Sequence, residues 1–486
     1  MAEFDLVIRG GDIATASDLF KADIGVRDGV IVALGEKLGA GATEVDATGK
    51  LVLPGGVDSH VHTDQRSSNG QYTADDWFTA TRSAACGGTT FILPFAAQHK
   101  GMSLRQVVKD YHDLATPKAC IDYGFHLIIS DPTPQVVGQE LPALVRDGYS
   151  SFKFYMTYDL LKLNDGEILD VLSVARNEGA FVMVHAENHD AIAFLSQRLL
   201  AHGHVKPKFH AESRPQPVER EATHRVIALS ELVDVPILIV HVSGREAIDQ
   251  IRWAQGRGLK IFAETCPQYL FLCAEDLDQP EWDGAKCMCS PPPREKSNQP
   301  YVWQALQTGV FQTLSSDHAP YRFNDPEGKG AGIAAGSFKK ISNGIPGLEV
   351  RMPLMFSEGV GKGRLDIHQF VALTCTNPAK LYGVHPKKGT IAVGTDADFA
   401  IWDTEKEVTI TQSILHDAMD YTPYEGMKVK GWPVMTFSRG KLVCKDMEFL
   451  GEAGAGRFHP RHLSSMLKPT GRFAGKFNPH TGVYNG

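Results

Sequence analysis

Hydrophobic positions near both ends of the chain occur in short, β-branched runs that are separated by glycine and aspartate. This pattern predicts short strands joined by tight turns. Because the two ends share the pattern, they predict one β domain that is assembled from both ends of the chain. The runs lie at residues 6–8, 23–26 and 30–34 near the start, and at residues 389–393, 398–402 and 434–437 near the end.

The middle of the chain, residues 51–385, alternates short apolar runs with segments in which apolar residues recur about every 3.6 positions. Continuous apolar strands that alternate with helices indicate a buried parallel sheet. Eight strands match a (β/α)8 barrel, although a doubly wound open sheet fits the same alternation. The predicted strands lie at residues 51–53, 89–95, 124–129, 151–156, 181–184, 236–240, 259–262 and 311–314, and the predicted helices at residues 75–85, 104–114, 166–177, 218–232 and 245–254.

We therefore expect an α/β protein in which a (β/α)8 TIM-like barrel carries a small β-sandwich domain built from both chain ends. The expected bounds are 1–54 and 386–450 for the two parts of the β-sandwich, 55–385 for the barrel, and 451–486 for a C-terminal tail. This tail contains five lysine or arginine residues, one acidic residue and seven glycines. Its composition predicts a flexible, basic extension.

The composition excludes several classes of protein. Hydrophobic residues make up 43% of the chain and charged residues 22%, which excludes a disordered or fibrous protein. A net charge of −8 provides no basic excess for binding nucleic acid or an anionic membrane. No apolar run reaches the roughly 18 residues of a transmembrane helix. Eight scattered cysteines and an N-terminus without a signal-like apolar stretch predict free thiols in a cytoplasmic protein.

Side chains that can bind metal lie at the ends of five predicted strands. The active site of a barrel is built at the C-terminal ends of its strands, with single residues drawn from several of them. A His-x-His pair in a strand places both imidazoles on one face, because side chains alternate with a period of two. The set consists of His60, His62, Lys153, His185, His241 and Asp317.

Imidazoles and a carboxylate are ligands that suit a borderline divalent ion such as zinc. Lys153 is the exception, because its ammonium would be repelled by such an ion; it must point away, lose its proton or be converted by CO2 into a carbamate. Each residue alone has an ordinary explanation, such as helix capping by Asp317 or a solvent-directed Lys153. Five strands that deliver such residues to one end of a barrel nevertheless favour a metal centre.

The motifs around these residues resemble the dihydropyrimidinase and D-hydantoinase group of the amidohydrolase superfamily. The resemblance covers nearly the whole chain. The lysine strand, ETCPQYL and NGIPG are specific to this group, whereas His-x-His is shared by many hydrolases. The matching segments are PGGVDSHVH at 54–62, GGTT at 87–90, SFKFYM at 151–156, VHAE at 184–187, VHVS at 240–243, ETCPQYL at 264–270, SPPPR at 290–294, SDHAP at 316–320 and NGIPG at 343–347.

The resemblance implies a centre of two divalent metal ions, with zinc expected and manganese or cobalt as alternatives. In this reading His60, His62 and Asp317 bind one ion. His185 and His241 bind the other, and an N6-carboxylated Lys153 bridges the two.

The resemblance also implies an activity. A hydroxide that bridges the metals would open the ring of a dihydropyrimidine or a 5-substituted hydantoin and give an N-carbamoyl amino acid. Tyr158 would stabilise the oxyanion, Asp317 would transfer the proton, and Ser290 and Asn343 would hold the cyclic amide. Similar enzymes form homotetramers, or homodimers, in which the C-terminal tail reaches a neighbouring subunit.

Two other interpretations remain open at this point. An allantoinase-like or other cyclic-imide hydrolase fits the same ligands, and Arg66 could serve an anionic or ureido substrate. A non-catalytic scaffold relative is also known in this fold, but such proteins resemble the chain less at the ligands. Dihydroorotases place an arginine two residues after the His-x-His pair, whereas this chain has Asp64, which argues against a carboxylated ring.

Overall fold

The structure is a computed structural model that describes residues 2–67 and 70–484. The chain begins with five strands, and the second pairs with the first in antiparallel fashion. The five strands are β1 (Phe4–Ala14), β2 (Leu19–Arg27), β3 (Val30–Gly35), β4 (Gly41–Asp46) and β5 (Leu51–Pro54).

Among the helices of the described ranges, none has the length and apolar character needed to cross a membrane.

The middle of the chain forms a parallel barrel, which confirms the predicted (β/α)8 fold. Eight strands follow one another in chain order around the sheet, and a short ninth strand, β8, pairs with β7. A bridge between Val61 and His318 joins the last strand region to the first. The strands are β6 (Gly56–Val61), β7 (Thr89–Ala97), β8 (Asp122–Tyr123), β9 (His126–Ile128), β10 (Ser151–Tyr155), β11 (Phe181–His185), β12 (Ile237–Ile239), β13 (Ile261–Thr265) and β14 (Thr313–Leu314).

The remaining strands complete a second sheet from both chain ends, as the sequence predicts. They are β15 (Phe399–Thr409), β16 (Lys428–Ser438), β17 (Lys441–Lys445) and β18 (Glu448–Phe449). The sheet runs in the order β18-β17-β16-β15-β5-β1-β2-β3, and β4 pairs with β1. The junction between the two halves is the antiparallel pair of β5 and β15.

Two strand predictions are wrong. Residues 51–53 were expected in the barrel, but β5 belongs to the second sheet, and the first barrel strand is β6. Strand β6 begins two residues after β5 ends. One apolar stretch therefore contributes strands to two sheets, and hydrophobic periodicity cannot show where the first strand ends and the second begins. Residues 389–393 form no strand; they lie in a turn region in which Ile391 is buried without sheet pairing.

Helices cover the outside of the barrel, and the five predicted helices are confirmed to within two residues at each end. In α4, Asn164 accepts a hydrogen bond from the backbone of Glu167, which caps the helix. The helices are α1 (Trp77–Cys86), α2 (Leu104–Ala115), α3 (Leu141–Arg146), α4 (Asp165–Glu178), α5 (His189–Ala201), α6 (Lys208–Glu212), α7 (Gln216–Val233), α8 (Arg245–Gly256), α9 (Gln268–Phe271), α10 (Gln299–Gln307), α11 (Gly330–Ala334), α12 (Arg351–Met355), α13 (Ile367–Val371) and α14 (Asn377–Leu381).

The barrel core follows from the period-two alternation of its strands. In β11, Phe181 and Met183 point into the barrel, and Val182 and Val184 pack in the layer between strands and helices. Both sets are fully buried, so the strand is apolar throughout. This double burial explains why continuous apolar runs mark the barrel strands in the sequence.

The C-terminal tail packs against its own barrel, contrary to the flexible extension that composition predicts. The guanidinium of Arg461 is buried and donates hydrogen bonds to Ser151 and to the carbonyl of Phe125, at the N-terminal ends of two barrel strands. Leu467 is buried in the cluster that fills the barrel. The Asp234 carboxylate accepts the backbone N–H of Thr470 at 2.9 Å. A few buried contacts therefore order a segment whose average composition is polar.

Candidate active site

The six side chains predicted as metal ligands converge at the C-terminal end of the barrel. Five are buried, and His62 is partly exposed. Each is held on or directly after a short parallel strand, which fixes its backbone. His60 lies in β6 and His62 just after it, Lys153 lies in β10, His185 ends β11, and His241 and Asp317 follow β12 and β14.

Four of these side chains surround one point. The Nε2 atom of His60 lies 3.0 Å from Oδ1 of Asp317, and Nε2 of His62 lies 3.7 Å from the same oxygen. The donor atoms of these three residues all lie within 4.8 Å of one another. Lys153 Nζ is 2.9 Å from His60 Nε2. The cluster therefore has the donor types and the spacing of a divalent-metal site.

His185 and His241 form a second group beside the first. The Nδ1 atom of His185 lies 2.9 Å from Nε2 of His241. The other ring nitrogen of His241, Nδ1, is buried and has no hydrogen-bond partner among the described residues. The ring centroids of His60 and His241 are 5.4 Å apart, so the two groups share one cavity. Two facing imidazole nitrogens and an unpartnered buried nitrogen fit residues that bind a cation between them.

Three polar side chains orient the histidines, and the sequence reasoning assigned no role to them. Glu264 Oε1 lies 2.7 Å from His60 Nδ1, Glu187 Oε2 lies 2.6 Å from His185 Nε2, and Gln65 Oε1 lies 2.6 Å from His62 Nδ1. A metal-binding histidine usually donates its other ring nitrogen to such an acceptor. Glu187 lies in the VHAE segment and Glu264 in the ETCPQYL segment, but only the fold shows which histidine each one contacts.

The electrostatics favour neutral imidazoles at most of these positions. Burial lowers the pKa of His62 to about 3 and lowers the pKa of His241 well below its usual value. His60 is the exception: burial opposes its protonation, but the charges of Asp317 and Glu264 outweigh it and raise its pKa. A divalent ion at His60 Nε2 would take the place of that proton.

Lys153 is enclosed by apolar and aromatic groups. Its Nζ lies 4.4 Å from the ring centroid of Phe95 and 4.8 Å from that of Tyr155. Burial lowers the pKa of Lys153 to about 8. Burial makes the ammonium unfavourable here, and the lowered pKa makes the neutral amine easier to reach, which fits a lysine that is converted to a carbamate.

The backbone is in the left-handed region at three site residues. The φ angles are 71° at Tyr158, 38° at His241 and 48° at Asp317. Non-glycine residues adopt this conformation uncommonly, and it tends to persist where the surrounding structure enforces it at functional sites. The turns direct these side chains into the cavity.

Tyr158, Ser290 and Asn343 line the same cavity as the histidines, which has a volume of about 130 Å³. The Tyr158 ring lies 5.4 Å from that of His185. Burial raises the pKa of Tyr158 more than the nearby Arg214, Ser290 and Asn343 lower it. The phenol therefore keeps its proton at neutral pH and can donate a hydrogen bond into the cavity.

Further polar side chains line the cavity, and one of them is cationic. They are Gln65, Arg66, Gln71 and His99, and Leu161 adds apolar atoms.

Asp64 does not line the cavity. Its carboxylate accepts the backbone N–H of Trp77 at 3.3 Å and pairs with Lys118 at 3.1 Å, at the start of α1.

A buried lysine supports the two loops that carry Ser290 and Asn343. Lys329 Nζ donates hydrogen bonds to the carbonyl of Ser342 at 2.7 Å and to that of Met288 at 3.2 Å. Its side chain is fully buried. No periodicity or motif in the sequence pointed to this residue, because its partners are backbone carbonyls distant in the chain.

Known proteins match this chain along nearly its whole length. A family model described as the amidohydrolase family matches residues 51–443. The D-hydantoinases of Rhizobium radiobacter and Geobacillus stearothermophilus are each 44% identical over 458 residues, which is 94% of this chain and 99% and 96% of those proteins. The crystal structure of dihydropyrimidinase from Brevibacillus agri is 44% identical with a TM-score of 0.92, covering 94% of this chain and 99% of that one.

Proposed function

The chain belongs to the amidohydrolase family, and from this premise we propose that it hydrolyses the cyclic amide bond of a dihydropyrimidine or a 5-substituted hydantoin. The ring C–N bond is cleaved by water and an N-carbamoyl amino acid is formed. One observation carries the proposal: five of the six proposed ligands line a single cavity with Tyr158, Ser290 and Asn343, and the sixth, His60, lies 3.0 Å from Asp317 at its wall. The D-hydantoinase and dihydropyrimidinase relatives support the type of substrate.

The donor set fits two divalent metal ions. His60, His62 and Asp317 would hold one ion and His185 and His241 the other, with Lys153 between them as an N6-carboxylated bridge. Zinc suits this mixture of imidazole and carboxylate ligands, and manganese or cobalt would also be accepted. When bound, such a pair of ions supplies an activated water and a Lewis acid for the amide carbonyl.

Tyr158 is proposed to stabilise the charge that develops on the carbonyl oxygen. Its phenol is protonated at neutral pH and lines the cavity beside His185. A donor that is fixed before the reaction stabilises the oxyanion without reorganisation, and such a donor is worth roughly 3–4 kcal/mol. The strained backbone at Tyr158 holds the hydroxyl in place.

Asp317 is proposed to move the proton. Burial raises the pKa of this carboxyl less than His60 and its other cationic neighbours lower it, so it is a carboxylate at neutral pH. It takes a proton from the attacking water and delivers it to the ring nitrogen as the C–N bond breaks.

Ser290 and Asn343 are proposed to hold the ring by hydrogen bonds to its amide groups. Both lie in the cavity, on loops that the Lys329 ammonium joins.

The polar lining of the cavity supports a second, related substrate class. Arg66, Gln71 and His99 line the cavity and would offer hydrogen bonds to a polar substituent of the ring. A ureido substituent, as in allantoin, would satisfy these groups, whereas a phenyl substituent would leave them unpaired. We therefore include an allantoinase-like activity as the alternative.

We further propose a cytoplasmic homotetramer or homodimer. The family resemblance supports this proposal. The described part of the tail contacts its own barrel from Gly456 to His480, whose Nε2 lies 2.9 Å from the carbonyl of Val233, so a contact with a neighbour would use the exposed face of the tail. Light scattering of the purified protein gives the mass directly.

The test is ring opening by metal-replete protein, with dihydrouracil, hydantoin, 5-phenylhydantoin, allantoin and dihydroorotate offered in parallel. Turnover of dihydrouracil or a hydantoin, with at least two ions per chain, is the expected result. A clear preference for allantoin would establish the alternative. Inactivity on every ring, in protein that contains metal, would refute the substrate class.

A further inference from the structure

A second cluster of metal-binding side chains lies outside the barrel cavity, where the barrel meets the second sheet. Cys86 ends α1, just before β7 begins, so it lies at the end of the barrel opposite the histidines. Cys444 lies in β17 of the second sheet. Glu349 precedes α12, and His416 lies in the segment between β15 and β16.

The donor atoms of this cluster are close together and largely buried. Sγ of Cys86 and Sγ of Cys444 lie 3.0 Å apart, and Nδ1 of His416 lies 2.8 Å from Oε1 of Glu349. The donor atoms of Cys86, Glu349 and His416 all lie within 4.8 Å of one another, and the Cys444 thiol adjoins this group through Cys86. Cys86, Cys444 and Glu349 are each less than 5% exposed.

His416 is oriented as metal-binding histidines are. Its Nε2 is 2.8 Å from the carbonyl of Met447, which leaves Nδ1 facing the cluster. A hydrogen bond of this kind fixes the tautomer and the ring orientation of a metal ligand. The second oxygen of Glu349 accepts the backbone N–H of His416 at 2.8 Å, which also holds that carboxylate in place.

We propose that Cys86, Cys444, His416 and Glu349 bind one Zn²⁺ ion that joins the barrel to the second sheet. Two thiolates, one imidazole and one carboxylate form a tetrahedral set of the kind that zinc prefers. A zinc ion lies about 2.0–2.3 Å from such ligands, which places them roughly 3.3–3.8 Å apart, so the two Sγ atoms, now 3.0 Å apart, would separate by about 0.8 Å when the ion binds.

The charges balance when the ion binds. Binding displaces one proton from each thiol and one from the imidazolium, and the two thiolates and Glu349 then carry three negative charges around a divalent cation. The remaining charge faces the guanidinium of Arg82, whose Nε donates to the carbonyl of His416 at 2.8 Å. Without the ion, the Cys444 contact and burial raise the pKa of the Cys86 thiol, so this thiol stays protonated.

A third cluster of such donor atoms already holds a cation that the protein itself supplies. Asp122, Asp396 and His459 also offer donor atoms within 4.8 Å of one another. There, however, the ammonium of Lys388 lies 2.7 Å from Asp122 and 2.9 Å from Asp396 and supplies the cation. At the Cys86 cluster, no lysine or arginine of the described residues forms an ion pair with the Glu349 carboxylate, whose charged partner is His416.

The experiment replaces the metal with Co²⁺ in the full-length protein and records its near-ultraviolet spectrum. The six proposed barrel ligands contain no sulfur, so a thiolate-to-cobalt charge-transfer band does not come from the barrel centre. We expect the band in the unmodified protein, together with a third metal ion per chain. The band and that ion should be lost in Cys86→Ser and in Cys444→Ser.

Two controls separate the site from other cysteines. Cys375→Ser alters another fully buried thiol, and Cys266→Ser alters the thiol that follows β13 next to the barrel cavity; both should keep the band. Ring opening is measured on every variant, so loss of the barrel centre is distinguished from loss of this site. A cobalt-loaded unmodified protein with no such band, or a Cys86–Cys444 disulfide found by mass spectrometry, would overturn the proposal.

Discussion

The substitution Glu264→Gln tests whether the barrel histidines are oriented for metal. Glu264 is fully buried, and its carboxylate lies 2.7 Å from His60 Nδ1. It also accepts hydrogen bonds from the Ser59 hydroxyl at 3.3 Å and from the backbone N–H of His241 at 3.4 Å. One side chain thus contacts both groups of proposed ligands.

The expected loss follows from removing the charge and keeping the shape. A hydrogen bond to a charged group contributes about 1.5–3 kcal/mol, against about 1 kcal/mol for a neutral one. Glutamine still accepts the hydrogen bond from His60 Nδ1, but it lacks the negative charge that makes the imidazole more basic. Substitutions of such supporting residues weaken metal binding or activity by about 10–100-fold, and full burial places Glu264→Gln toward the upper part of that range.

The assay is a chelator titration in which retained metal and ring-opening rate are measured on the same samples. Glu140→Gln is the matched control, because Glu140 is also a buried carboxylate but accepts hydrogen bonds from Ser103, Leu104 and Gln135, none of which is a proposed ligand. The reasoning is refuted if Glu264→Gln protein is folded and releases metal at the same chelator concentration as the unmodified protein.

Three further predictions concern Tyr158, Lys329 and Arg66. Tyr158→Phe should lower kcat about 10²–10³-fold with unchanged metal content, as expected for a lost oxyanion donor; an unchanged kcat would remove the residue from the mechanism. Lys329→Met should raise KM more than it lowers kcat, because the loops that carry Ser290 and Asn343 lose the hydrogen-bond donor that joins them. Steady-state kinetics measures both constants. Burial also lowers the pKa of Lys329 to about 7, so the unfolded chain binds more protons between about pH 7 and 10.5, and the unfolding free energy should rise with pH over that window. Urea unfolding at several pH values should show less of this rise in Lys329→Met, and equal slopes would contradict the assignment. Arg66→Leu should shift the ratio of allantoin to 5-phenylhydantoin turnover toward the phenyl substrate; a constant ratio would show that Arg66 does not contact the substituent.

The sequence predicted most of the barrel because its strands are buried on both faces and its helices are amphipathic. These are local patterns, and α2, α4 and α8 match their predicted positions closely. The metal-binding set was found for a related reason: the ends of parallel strands meet at one edge, so residues at those ends can be grouped without knowing any distance.

The parts that the sequence did not give depend on contacts between distant residues. The strand β5 was misplaced because its partner, β15, lies more than 340 positions away. The orienting residues Glu187 and Glu264 could be read as ordinary buried carboxylates until their histidine partners were known. Average composition predicts a flexible C-terminal tail, whereas the buried side chains of Arg461 and Leu467 determine where the tail packs.

The most direct test of the central claim is to strip the protein of metal with a chelator and follow ring opening of dihydrouracil and hydantoin as zinc and bicarbonate are restored. The account predicts that activity disappears with the metal and returns in proportion to the zinc that binds, with bicarbonate required for full recovery. Stripped protein that opens either ring at the original rate would contradict a metal-dependent mechanism at His60, His62, Lys153, His185, His241 and Asp317.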